Sequence, residues 1–126
     1  MAAHERRGRG FTLIELLVVM AIVAMLLTIA VPRYFSSLDH ARETSLRQNL
    51  AVMRAAIDQY NGDLGRYPNS LQDLVAARYL RSIPPDPITG VADQWTTEAD
   101  PGRGGVRDVR SGAPGAARDG TPYASW

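Results

Sequence analysis

The chain has 126 residues, a formal net charge of +1 and no cysteine, which leaves room for one small domain and excludes disulfides and thiolate metal sites. All 14 basic residues are arginines, and Arg6, Arg7 and Arg9 precede the first apolar run, opposed only by Glu5. Residues 1–10 hold three of the 14 basic and one of the 13 acidic residues, so the remainder carries 11 against 12, a balance that gives no basic surface for nucleic acid.

The first element is the apolar run Phe11–Val31, whose polar members are Thr12, Glu15 and Thr28. At about 21 residues it matches the length a helix needs to cross a bilayer core. The basic MAAHERRGRG ahead of it predicts a cytoplasmic N-terminus and an outward C-terminal domain. A secretory signal would have a shorter apolar segment followed by small residues, whereas this run is followed by VPRYF. Pro32 removes a backbone donor where the run ends, and predicts a kink or a loosened turn.

Beyond it Leu38, Ala41, Leu46, Leu50, Met53, Ile57 and Tyr60 recur at helical spacing. Asp39, Arg42, Glu43, Arg47, Arg54 and Asp58 lie between them, so the stretch reads as one amphipathic helix with a single core face. His40 reads as a solvated residue of this helix, and Asp58, Asp63 and Asp73 as surface charges. Asn61 and Gly62 provide a stop signal. After the turn-rich NGDLGRYPNS, Asn69 or Ser70 can cap a short helix within SLQDLVAARYL that presents Leu71, Leu74, Val75 and Leu80 to the first. IPPDPITG forbids regular helix. DQWTTEA and GGVRDVRSG are candidate strands joined by DPGRGG, and the tail SGAPGAARDGTPYASW is expected to lie over the sheet, pinned by Tyr123 and Trp126.

The segment RGRGFTLIELLVVMAIVA, residues 7–24, resembles the class III signal of the type IV pilin and type II secretion pseudopilin superfamily. It has Gly before the scissile bond, Phe after it and Glu five residues into the mature chain. The resemblance implies cleavage between Gly10 and Phe11 by a prepilin peptidase, methylation of the freed Phe11 amine, and filament assembly through Glu15. Physically, Gly10 admits an extended backbone to a narrow protease site, and a carboxylate in a spanning helix costs about 2.5–3.5 kcal/mol near the bilayer centre unless partnered. The freed amine of a neighbouring copy is the partner the family suggests.

The Tyr-Pro turn, the short second helix, the DPITG stretch and the Trp95 segment resemble the major pseudopilin of type II secretion systems. That resemblance implies an α+β fold of type IV pilin-like build, in which a long N-terminal helix, transmembrane and then amphipathic, packs on a small antiparallel sheet. The corresponding divisions are a leader at 1–10, a membrane and filament-core helix at 11–31, its amphipathic half at 32–61 and an α/β periplasmic part at 62–126. The implied partners are the prepilin peptidase, other copies and minor pseudopilins, membrane lipid, and an inner-membrane assembly platform with a separate cytoplasmic ATPase. Major pseudopilins often bind calcium near the last strands, and Asp108, Asp119 and the carbonyls of Ser111–Ala113 are the candidate ligands. Pro114 stands where that family often has aspartate, however, so no metal or other cofactor is expected.

No nucleophile and base pair is visible, and no enzyme is expected. Two other readings compete with secretion: a type IV pilin or minor pilin, and an uncleaved membrane-anchored periplasmic binding protein.

Overall fold

The structure, a computed structural model, describes residues 10–126. The leader, with His4 and its arginines, lies outside the described residues apart from Gly10. The chain divides into two compact units, one ending at Ser37 and one formed by Leu38–Trp126. The elements in order are helix α1 (Leu13–Leu64), helix α2 (Leu71–Ala76), strands β1 (Thr96–Ala99) and β2 (Val106–Arg110), and a terminal 3-10 turn at Tyr123–Ser125. This is the α+β arrangement expected.

In the first unit every described residue is exposed, Phe11 to 82% and Leu27 to 52%. An apolar helix with no buried face within its own chain belongs in a membrane or against other apolar surfaces. Pro32 stands inside α1, which continues on both sides of it. The carbonyl it leaves without a donor is that of Thr28, whose own hydroxyl donates to the Met25 carbonyl at 2.6 Å.

In the second unit α1 buries Leu46, Leu50, Met53, Ala56, Ile57 and Tyr60, which meet Leu71, Leu74, Leu80, Trp95, Val106 and Val109 in one core. The periodic face was correctly placed from Leu46 to Tyr60, but Leu38 is only half-buried and Ala41 is exposed. Glu43, grouped by its charge with the solvated residues, is buried instead. The helix also passes Asn61 and Gly62 and ends at Leu64, one turn later than expected. Gly65 terminates it, with φ of +69° and its N–H donated to the Asn61 carbonyl at 2.9 Å.

The second helix is shorter than SLQDLVAARYL suggests. Ser70 takes the N-cap position without a side-chain cap bond, and Asp73 reaches back to accept the Asn69 N–H at 2.9 Å. Arg78 ends α2 in the left-handed region, φ 65°, with Arg78 N–H donated to Val75 and Tyr79 N–H to Leu74, the Schellman pattern. Asp63, read as a plain surface charge, accepts the Tyr79 hydroxyl at 2.8 Å.

Strands β1 and β2 pair antiparallel with Thr97 opposite Val109, and a bulge falls between Glu98 and Ala99. Val106 and Val109 face the core, while Glu98 on β1 meets Arg107 at 2.6 Å and Arg110 at 3.5 Å. The DPITG stretch closes on itself, Gly90 N–H donating to the Asp86 carbonyl at 2.7 Å. Buried Asp86 accepts the Ile88 N–H and the Ser111 hydroxyl, at 2.8 and 2.6 Å, which ties this turn to the end of β2.

Candidate functional site

The start of α1 is built by two residues of the FTLIE sequence. Thr12 Oγ1 accepts the Glu15 N–H at 3.1 Å, and Glu15 Oε2 accepts the Thr12 N–H at 3.4 Å. This reciprocal pair is a capping box, which satisfies donors that the first turn of any helix leaves open and sets a carboxylate at the positive end of its dipole. Glu15 therefore has a partner within its own chain. Sequence reasoning singled out Glu15 and overlooked Thr12, although T-x-x-E ahead of an apolar run is the signature of such a box. Gly10 and Phe11 immediately precede it, both exposed, and a Cβ at Gly10 would meet nothing within 4 Å.

The candidate calcium ligands are otherwise engaged. Asp108 Oδ1 accepts from Arg54 Nε at 3.0 Å and from the Val109 N–H at 2.8 Å. Asp119 accepts the Thr121 hydroxyl at 2.6 Å and the Thr121 N–H at 3.0 Å, and these bonds, hydroxyl first, hold its carboxyl below the usual range. The Ser111 hydroxyl is committed to Asp86. Among the described residues no group of three or more His, Asp or Glu side chains is placed to hold a metal. A hard cation that wants six to eight oxygens does not fit this set.

The tail is fastened instead by protein groups on α1. Glu43 Oε1 accepts the Arg118 N–H at 2.8 Å and the Tyr123 hydroxyl at 3.4 Å, while the Arg47 guanidinium lies 4.4 Å from the centre of the Trp126 ring. Tyr123 and Trp126 thus pin the tail as expected, and the tail does reach β2, but the partners of its far half are on the helix while Ser111 bonds Asp86. No sequence pattern links positions 43 and 118, so only the fold reveals this contact.

An exposed apolar helix with a capped, accessible N-terminus, continuing into the core of a small α+β unit, defines a class of proteins with a membrane-type N-terminal helix. Residues 6–31 match the prokaryotic N-terminal methylation motif. Over 130 residues the chain is 32% identical to the type II secretion system core protein G of Dickeya chrysanthemi, covering 94% of this chain and 82% of that one. The corresponding protein of Klebsiella pneumoniae is 31% identical over 136 residues, covering 93% and 89%. The chain belongs to the type II secretion system core protein G family. A more distant likeness, 31% over 68 residues, links 54% of the chain to 31% of the type IV major pilin protein PilA of Myxococcus xanthus. No solved structure matches.

Proposed function

We propose that this chain is a structural subunit of a type II secretion pseudopilus, not an enzyme. It is cut between Gly10 and Phe11 by a prepilin peptidase and methylated on the new amine. It is held in the inner membrane with its N-terminus cytoplasmic and residues 38–126 periplasmic, and is then added to a helical filament that drives export across the outer membrane. A separate cytoplasmic ATPase working through the assembly platform supplies the energy. The observation that carries this reading is the methylation motif at residues 6–31, set on an exposed apolar helix whose first turn holds a carboxylate.

The chemistry of that turn supports the order of events. Among the described residues Glu15 bonds Thr12; after cleavage, the Phe11 amine of another copy becomes a cation able to pair with the carboxylate. Such an ion pair gains strength where water is excluded. Mass spectrometry of the membrane-extracted chain should give a mass beginning at methylated Phe11. An intact N-terminus would instead favour the uncleaved anchored binding protein. Glu15→Ala should still be inserted and cleaved yet yield few filaments, and filament numbers equal to wild type would remove the carboxylate from assembly. The likeness to PilA supports a type IV pilin as the second reading; deletion that abolishes surface pili and leaves exoprotein release intact would select it.

A further inference from the structure

Tyr34 and Phe35 are adjacent on α1, 62% and 58% exposed, and their rings meet edge to face with centroids 5.8 Å apart. They follow Arg33, directly after the last residues of the apolar run. A guanidinium, a phenol and a phenyl ring in succession have the chemistry of the headgroup layer: the cation binds lipid phosphate, and the rings rest on the acyl boundary with the phenol hydroxyl turned to the wet side.

Their distance from the capped end is informative. Phe35 lies twenty positions after Glu15 in α1, which at 1.5 Å per residue is about 30 Å, and the hydrocarbon core is also about 30 Å thick. We infer that Arg33, Tyr34 and Phe35 anchor the helix in the lipid headgroup layer on its C-terminal side, setting its depth so that Glu15 and Thr12 lie at the opposite headgroup layer. This rests on the membrane-spanning part of the proposed function.

Apolarity alone would centre the span on Val31–Phe11, near residue 21, which would leave Glu15 inside the hydrocarbon and hold both rings in the headgroup layer, about 5 Å beyond the acyl boundary. Sliding the helix by about four residues, or ~6 Å, wets the carboxylate and buries the rings together. Both changes favour the same register, centred near residue 25, at the cost of moving Phe11, Leu13 and Ile14 into the headgroup layer. Arg33, just inside the boundary, reaches the phosphates along its flexible stem. Glu15 is then stored at a wet boundary, bonded to Thr12, until assembly.

The chain lacks cysteine, so single cysteines for spin labels can be placed without background in the full chain. Leu16→Cys, Met20→Cys, Ala24→Cys, Thr28→Cys and Ser36→Cys, reconstituted in phosphatidylethanolamine and phosphatidylglycerol vesicles, report depth from their relative exposure to oxygen and to a water-soluble nickel complex. The label at residue 24 should be deepest, with those at 16 and 36 the shallowest. In the Tyr34→Ser/Phe35→Ser background the deepest position should move to residue 20, a shift of about 6 Å. A wild-type profile already deepest at residue 20, or one unchanged by the double substitution, overturns the anchor while leaving the span intact. Water-like readings at all five positions overturn the membrane reading and the anchor with it. Shielding of residue 36 that disappears on dilution of the protein in lipid assigns the rings to a second copy and also overturns the anchor.

Discussion

Glu43 is 8% exposed, and its carboxylate joins α1 to the C-terminal tail through the Arg118 N–H and the Tyr123 hydroxyl. Glu43→Ala should cost ~1–3 kcal/mol in a denaturant melt, because it removes the charged acceptor of a part-buried N–H. Glu43→Gln, which keeps an acceptor, should cost less. Burial, followed by the nearby Glu43 charge, raises the Tyr123 phenol above its ordinary value of 10.0. A raised value means that the folded state binds this proton more tightly. The contribution is therefore full below pH 10 and is lost as pH rises through the folded value. Tyrosinate absorbance should show two phenols titrating late, Tyr123 and the Tyr79 that donates to Asp63, and Glu43→Gln should bring the Tyr123 one back toward the ordinary value. Because Arg54 and Thr121 occupy Asp108 and Asp119, a chelator should leave the melting temperature unchanged; a clear fall would reinstate a metal. Local pattern could single out Glu15 as a carboxylate in an apolar run, but it could not single out Glu43, whose burial depends on a segment 75 residues away.

The elements most legible in the sequence were those with a long period. Leu46 to Tyr60 fell on one face because a helix repeats every 3.6 residues. Both strands appeared where Trp95–Ala99 and Val106–Arg110 lie between turn residues. The ends were less legible. Gly62 looks like a stop, yet it is helical and open at its Cβ position, whereas Gly65, three residues on, needs positive φ. Sequence shows two glycines; only backbone geometry tells which one turns. The two should accordingly respond with opposite signs to alanine. Gly62→Ala should stabilise by about 0.5–1 kcal/mol through restricted unfolded-state freedom and better helix propensity, while Gly65→Ala should destabilise by about 1 kcal/mol. Arg78→Gly, at the left-handed end of α2, should stabilise by about 1 kcal/mol. Matching denaturant midpoints for Gly62→Ala and Gly65→Ala would mean that α1 ends elsewhere.

At the scale of the molecule, the main core cluster runs from Leu46 to Val109, and the tail that closes over it, with Ala113 and Ala117 buried, reaches Trp126. The unit Leu38–Trp126 thus contains its own core, sheet and polar ties, including Asn49 to the Pro85 carbonyl at 3.2 Å and Trp95 to the Pro84 carbonyl at 2.8 Å. The exposed apolar helix before it contributes nothing to that core, and in water it is a liability for solubility. A chain truncated to residues 38–126 should therefore be soluble and melt in a single cooperative transition followed by circular dichroism. In that background Ile57→Ala, at a fully buried position of α1, should cost about 2–5 kcal/mol. Val52→Ala, on the exposed side of the same helix, should cost well under 1 kcal/mol. If the truncated chain shows no cooperative transition, α1 cannot fold as part of this unit without its membrane half. Equal effects of the two substitutions would place the core on the wrong face of the helix. A cooperative melt with the expected asymmetry would establish the division of labour within α1: residues from Leu46 onward hold the soluble fold together, and those before Leu38 are left free for lipid and for other copies.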